Sequence, residues 1–345
     1  MNIYENKLYL QDVQDVANLN LPWEKIKGKS FFITGATGLL GSFLVDVLVE
    51  KGCKIYALGR SVERAKKRFL KIWDKIEFIP YDINNPIEFE KMSDVDYVIH
   101  LASNTHPVAY STDPIGTITT NIIGLKNILD FSVEHNAKRC VFASSNEIYG
   151  ENRGDVELFD ENYCGYINCN TLRAGYNESK RCGEALCQAY IKQKDLDVVI
   201  SRFTRSYGPT ILDSDTKALS QFIRNGLNGE NIVLKSEGTQ YFSYTYISDA
   251  ISGLLTIILL GEKGEAYNIA DEKSDVRLRD LANIVAKCSG TKVIFDLPNE
   301  TEKQGFSKAT KARLDGSKLK NLGWEMKYDM EEGISRTLTI LKESV

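Results

Sequence analysis

Two kinds of apolar pattern alternate along the first two thirds of the chain. Short unbroken runs such as Ser30-Phe31-Phe32-Ile33-Thr34 have no polar face, so they read as strands covered on both sides. Similar runs recur at 54–58, 76–79, 97–101, 139–144 and 197–202. Between them lie longer stretches with apolar residues at helical spacing, over 39–49, 64–73, 118–134 and 176–192. Strand and helix in regular alternation predict a doubly wound α/β fold with a parallel sheet.

Past Pro209 this rhythm breaks. Charged amphipathic helices and short strands follow irregularly over 213–240 and from 274 to the end, without a second glycine-rich turn. The pattern predicts a small α/β C-terminal lobe closing over the carboxyl edge of the sheet. The expected division is an N-terminal extension (1–28), a dinucleotide-binding domain (29–203 plus 243–272) and a substrate-binding lobe (204–242 plus 273–345). No internal repeat or low-complexity tract interrupts it.

Composition narrows the function classes. With 345 residues, 43% hydrophobic and 26% charged, the chain has the balance of a soluble two-lobed protein. A net charge of −4 gives no basic field to hold a nucleic-acid backbone. The first residues lack the basic, apolar and small-residue succession of a signal peptide, and no run is long enough to span a membrane; a cytoplasmic location is expected. Seven scattered cysteines and only three histidines point to reduced, buried structural thiols and no metal site.

The first chemical motif is Gly35-Ala36-Thr37-Gly38-Leu39-Leu40-Gly41, set between a strand and a helix. Glycines there let the chain turn tightly and let a pyrophosphate reach the free N–H groups of the helix N-terminus. Placed on its strand and helix, the turn predicts a Rossmann-type dinucleotide site. Asp82 with Ile83, after Phe78-Ile79-Pro80-Tyr81, is placed to meet the adenine, and Leu101-Ala102-Ser103 to line the dinucleotide cleft. The second strand ends in Leu58-Gly59-Arg60, where NAD binding calls for an acidic residue on the ribose hydroxyls. Arg60 instead suits a ribose 2′-phosphate, so NADP is favoured over NAD.

The second motif is Tyr176-Asn177-Glu178-Ser179-Lys180. Four residues apart on a helix, tyrosine and lysine share a face, and the ammonium is expected to draw the phenol pKa down from about 10 toward neutrality. Such a pair is commonplace on solvated helices; what raises its standing is Ser144-Ser145-Asn146-Glu147 at the end of a buried strand, where open α/β sheets bind ligands. Ser145 is placed to share the proton with Tyr176. Glu147 is placed to move a proton next to a new carbonyl, or to bind a hydroxyl.

Taken in order, the glycine turn, the strand-end serine, Tyr176-x-x-x-Lys180 and Arg202-Phe203-Thr204-Arg205-Ser206-Tyr207-Gly208-Pro209 resemble an extended short-chain dehydrogenase/reductase. Within it the chain is most similar to the nucleotide-sugar epimerases, dehydratases and decarboxylases. The resemblance implies a Ser145–Tyr176–Lys180 triad, with Asn121 helping to order the lysine. The segment from Tyr163 through Arg173 to Tyr176 looks like that of UDP-glucuronate decarboxylases, which implies that Arg173 faces the sugar or its carboxylate. It also implies a homodimer through 118–134 and 176–192.

Departures from the pattern matter as much. Asn146 stands where the dTDP-glucose-type 4,6-dehydratases carry an acid, which disfavours plain dehydration. Arg205 stands where relatives place asparagine, and Phe242 where many place a diphosphate-binding arginine; the diphosphate grip is expected to have moved to Arg205. Substrate contacts are therefore expected from Ser103, Asn146, Arg173, Arg205 and Phe242. The expected activity is redox-neutral modification of a nucleotide-diphosphate sugar through a keto-sugar. The alternatives are an NADPH-dependent reductase of a nucleotide-linked ketose or keto-sugar, for example CDP-linked, giving net redox, and a non-catalytic dinucleotide sensor; the ligand is expected to be a nucleotide-diphosphate sugar or a related nucleotide-linked polyol or ketose.

Overall fold

The computed structural model describes residues 2–86, 94–105, 107–296 and 311–344. In chain order the elements begin with α1 (Lys7–Ala17), β1 (Ser30–Thr34), α2 (Leu39–Glu50), β2 (Lys54–Gly59), α3 (Val62–Arg68), β3 (Ile76–Pro80) and β4 (Tyr97–His100). Next come α4 (Pro107–Thr112), α5 (Pro114–Thr119), α6 (Leu125–Glu134), β5 (Arg139–Ser145), α7 (Ala174–Lys194) and β6 (Val198–Phe203). The remainder is β7 (Arg205–Tyr207), α8 (Ala218–Leu227), β8 (Ile232–Leu234), β9 (Tyr241–Tyr246), α9 (Ile247–Leu260), β10 (Ala266–Ile269), β11 (Asp275–Arg277), α10 (Leu278–Ser289), β12 (Val293–Phe295), β13 (Lys311–Ala312), α11 (Ser317–Lys320) and α12 (Met330–Ser344).

Seven strands form one parallel sheet in the order β10-β6-β5-β4-β1-β2-β3. The unbroken apolar runs are explained by its two faces. Along β1, Phe31 and Ile33 enter the core beneath α1, α2 and α9, while Phe32 enters the opposite core beneath α6 and α7. Both faces are dry, so neither can be polar. The order reverses between β1 and β4, which leaves a crevice at their carboxyl ends.

Two expected helices differ in detail. The one over 64–73 ends at Arg68, because Phe69 closes the turn onto Ala65 O at 2.8 Å and buries its ring. The one over 118–134 is continuous but contains a π-turn at Thr120–Gly124, which adds a residue to the coil and moves Asn121 to the buried side. Gly124 allows this coil to press on Ile83: a Cβ there would lie 2.7 Å from the isoleucine Cδ1.

The extension expected over 1–28 is part of the core. Tyr9, Val13, Val16 and Ala17 form one apolar stripe of α1 packed into the sheet's outer layer. Two charged knots hold it. Asp46 on α2 pairs with Arg68 at 2.6 Å and accepts the hydroxyls of Tyr4 and Tyr9. Asp12, fully buried, pairs with Arg336 of α12 at 2.6 Å and accepts the Tyr246 hydroxyl at 2.6 Å. The chain's two ends are thereby tied together.

The second lobe has its own sheet. β9 runs antiparallel to β11 and parallel to β13 and β7, while β8 and β12 form a separate parallel pair. Residues 243–246, expected in the dinucleotide-binding domain, belong to this second sheet, and β10 returns to the first. Among the described residues no helix is long and apolar enough to cross a membrane. Cys53, Cys140 and Cys187 are buried, but Cys164, Cys169 and Cys182 are exposed, against the expectation of buried thiols.

Asp12→Ala would leave the Arg336 charge and the Tyr246 hydroxyl without their acceptor. It is expected to lower stability by about 3–5 kcal/mol, read as a shift in the urea midpoint. An unchanged midpoint would mean that the N-terminal helix is not part of the cooperative core.

Candidate functional site

The crevice at the sheet's carboxyl edge opens into a cleft of about 1110 Å³ that runs between the two lobes. At its floor the glycine turn is forced by contact. Gly35 has φ +68°, and a Cβ on it would lie 2.8 Å from Ala102 N; one on Gly41 would lie 2.3 Å from Gly35 O. Gly38 caps α2 from an extended conformation, so the N–H groups of Leu39, Leu40 and Gly41 begin the helix at the cleft. Thr34 ties the neighbouring loop down, accepting from Leu101 N through its carbonyl at 3.3 Å and from Ala102 N through its hydroxyl at 3.2 Å. This cradle, closed to any side chain but open to an anion, fits a dinucleotide pyrophosphate.

Thr37, Arg60, Asp82, Ile83, Leu101, Ala102 and Ser103 all line the same cleft. Asp82 is folded into a local turn, accepting from Asn84 N at 3.0 Å and from its amide at 2.9 Å. His100, at the end of β4, shares a proton with Thr34 Oγ1 at 2.9 Å. Burial, with the Lys180 charge, pushes its pKa down to about 3, so it stays neutral.

Ser145 ends β5 and Tyr176 lies in the first turn of α7, which brings both hydroxyls to one wall of the cleft. Tyr176 is 6% exposed and Lys180 2% exposed. The phenol does not behave as the helical spacing suggests. Burial pushes its pKa up to about 12, against hydrogen bonding with Ser145 and Ser103 that pulls it down. The lysine exerts no comparable pull because its Nζ donates to Ala143 O at 2.7 Å and lies 5.9 Å from the phenol ring centre. Burial brings Lys180 itself down to about pKa 7, with Glu184 opposing.

Among the described residues Asn121 makes no hydrogen bond to Lys180. It accepts from Ser103 Oγ at 2.7 Å and donates to Ser179 Oγ at 2.9 Å; Ser179 in turn donates to the carbonyl of Tyr176 at 2.9 Å. Its role is to hold the serine beside the phenol and the first turn of α7. No pattern in the sequence points to Tyr110, whose ring stacks on Tyr176 at 4.9 Å and carries the Arg173 guanidinium at 5.0 Å on it. Asn177 was equally silent: it donates to the Glu147 carbonyl at 2.9 Å.

On the substrate side three charges meet. Arg173 donates to Glu147 Oε2 at 2.8 Å, and Arg205 lies 3.8 Å from Oε1, its guanidinium stacked 3.7 Å above the Phe242 ring. Arg205 Nη1 is buried without a partner among the described residues. Two guanidinium groups share one carboxylate, so this end of the cleft carries a surplus positive charge. Asn146 adds its amide beside Ser145 at 3.4 Å.

With this geometry the comparison with known proteins is decisive at the family level. Residues 31–270 match the model of the NAD dependent epimerase/dehydratase family. The chain belongs to that family. It is an NAD(P)-dependent enzyme of the nucleotide-sugar-modifying kind. It is 31% identical over 322 residues to UDP-glucuronic acid decarboxylase 1 of Xenopus tropicalis, covering 92% of this chain and 73% of that protein. It is 31% identical over 306 residues to UDP-glucuronic acid decarboxylase 6 of Arabidopsis thaliana, covering 88% and 85%. The same fold is seen in the UDP-glucuronic acid 4-epimerase of Bacillus cereus, with TM-score 0.79, 22% identity and coverage of 91% and 99%. The epimerase Mth375 of Methanothermobacter thermautotrophicus shares it too, with TM-score 0.81, 20% identity and coverage of 96% and 95%.

The buried lysine makes a prediction. From about pH 7 to the ordinary lysine value of 10.5, the unfolded chain holds a proton that the folded chain has released. Stability contributed at this residue therefore rises with pH across that window, and below about 7 the folded protein carries the buried charge at full cost. Lys180→Met is expected to stabilise the ligand-free protein most at pH 6, with the gain shrinking toward pH 10. Urea midpoints of the two proteins at both pH values check it; a gain independent of pH would contradict it.

Proposed function

We propose that this enzyme acts on a nucleotide-diphosphate hexuronate, oxidising the sugar C4 hydroxyl, releasing the C5 carboxylate as carbon dioxide, and reducing the keto group again. The observation that carries this reading is the Arg173–Glu147–Arg205 group beside the Ser145 and Tyr176 hydroxyls: a surplus positive charge next to a proton-transfer pair suits a sugar that brings its own carboxylate. The named relatives, UDP-glucuronic acid decarboxylases, support it.

The glycine turn with Thr37, Leu39 and Leu40 would hold the pyrophosphate, Asp82 with Ile83 the adenine end, and Leu101, Ala102 and Ser103 the nicotinamide side. When bound, the dinucleotide supplies the hydride acceptor and, in its oxidised form, a positive charge beside the phenol. With its phenol ionised under that positive charge, Tyr176 takes the C4 hydroxyl proton, and Lys180 lies one helical turn behind it. Ser145 donates to the oxygen as it becomes a carbonyl, and Asn121 keeps Ser103 aimed at the same place.

A 4-keto sugar with a 5-carboxylate is a β-keto acid. The C5–carboxylate bond breaks with its electrons moving into an enolate on C4, whose oxygen Ser145 and protonated Tyr176 stabilise. Glu147 orders the group that delivers a proton to C5; Arg173, Arg205, Phe242 and Asn146 hold the sugar and diphosphate. Asn146 in place of an acid leaves elimination of water without its proton donor, which separates this reading from a 4,6-dehydratase.

The reading extends to a cytoplasmic homodimer. Ile115 and Leu172, 76% and 72% exposed, and the half-exposed Ile118 and Ile123 give the face near α5 and α7 an apolar surface that a second copy would cover.

Tyr176→Phe is expected to lower turnover about 10²–10⁴-fold while dinucleotide affinity stays within a few-fold. Mass spectrometry of products from UDP-, dTDP-, GDP- and CDP-linked hexuronates and hexoses, with nicotinamide absorbance followed in parallel, tests the reaction. Loss of the carboxylate with no net absorbance change is expected. Stoichiometric consumption of reduced dinucleotide would replace this reading with a net reductase.

A further inference from the structure

At the end of β2 the backbone lies directly beside the glycine turn. Ala36 N donates to Leu58 O at 3.1 Å, and a Cβ on Gly59 would lie 3.5 Å from Thr37 Oγ1. The next residues are therefore the first side chains that a ribose on this cradle meets. They are Arg60 and Ser61, followed by Arg64, and all three line the cleft. A ribose with free 2′- and 3′-hydroxyls is best held by a carboxylate at this point. None stands here.

The acidic groups nearby do not change that balance. Glu63 on α3 and Glu77 on β3 are exposed and do not line the cleft, and neither pairs with Arg60 or Arg64 among the described residues. Asp82, across the cleft at the end of β3, has its Oδ1 engaged by Asn84. Asp46 is taken by Arg68. Arg60 and Arg64 are both exposed and have no ion pair among the described residues, so two guanidinium forks stand free at the ribose end of the cradle. Ser61 Oγ accepts from Arg64 N at 3.2 Å, which fixes the serine beside them with its own hydroxyl proton available to donate.

We propose that Arg60, Arg64 and Ser61 form a binding site for the ribose 2′-phosphate, so that this chain selects NADP(H) over NAD(H). The arginines supply planar, charge-assisted donors to the phosphate oxygens, with Arg60 the principal ligand because it directly follows Gly59. The inference rests on the dinucleotide reading of the glycine turn and is independent of which sugar is bound.

Binding, not turnover, tests it. Calorimetric titration of the full-length protein with NADPH and NADH, and with 2′,5′-ADP and 5′-ADP, reads the 2′-phosphate contribution directly. The 2′-phosphorylated member of each pair is expected to bind at least about tenfold tighter at low salt, with the ratio shrinking as salt rises. Arg60→Ala should bring the ratio close to one while NADH affinity stays unchanged, which also shows that the variant is folded. Arg64→Ala should reduce it partly. Equal or tighter binding of NADH by the unaltered protein overturns the proposal, as does an Arg60→Ala/Arg64→Ala variant that keeps the preference. Failure of every dinucleotide to bind would instead defeat the reading of the cradle itself.

Discussion

Gly35 and Ala102 approach so closely that a Cβ on the first would lie 2.8 Å from the nitrogen of the second, and this backbone contact sets the separation between the ends of β1 and β4. Much else follows from it. The reversal of strand order opens a crevice there, Thr34 fastens the second loop through both its carbonyl and its hydroxyl, and Ser103 leaves that loop pointing at Tyr176. A side chain at Gly35 would part the loops and move Ser103 away from the phenol. The anion cradle and the proton-transfer pair are thus two consequences of one close approach.

The second determinant is how the site manages charge without water. Lys180 is buried with a backbone carbonyl as its hydrogen-bond partner, and Glu184, which favours its charged form, is itself committed to Arg202 and Ser144. The lysine therefore sits near its titration point instead of far below it. Tyr176 is held up by the same burial. For Tyr176, a positive charge brought into the cleft would offset that burial and so couple proton transfer to occupancy of the site.

The sheet was legible because double burial leaves a signature that composition cannot hide: Phe31, Phe32 and Ile33 are apolar in succession since each faces a dry layer. The glycine turn and the Tyr176–Lys180 spacing were legible for similarly local reasons. What sequence spacing could not reveal was contact between distant segments. Nothing around Tyr110 announces that it stacks on Tyr176, and nothing around Asn121 shows that a π-turn redirects it from the lysine to Ser103 and Ser179. The stripe Tyr9, Val13, Val16 and Ala17 was present in the sequence, but the charges between its members masked a helix whose partners, Asp46 and Arg336, lie far along the chain. The direction of the Tyr176 shift failed for the same reason, since spacing reports proximity to Lys180 but not the depth at which the pair is buried.

Positions 205 and 242 meet across neighbouring strands at the wall of the cleft. Arg205 lies on β7 opposite Tyr244 of β9, and Phe242 is two residues along β9 on the same face. A guanidinium projecting from either strand reaches the same volume of the cleft. The aromatic ring on β9 gives the guanidinium a flat surface at 3.7 Å and removes one of its faces from water. The cation is stiffened by that contact. Nη1 is buried without a partner among the described residues, and Nη2 lies 3.8 Å from Glu147 Oε1. The two strands together present one guanidinium, backed by a ring, at the cleft wall.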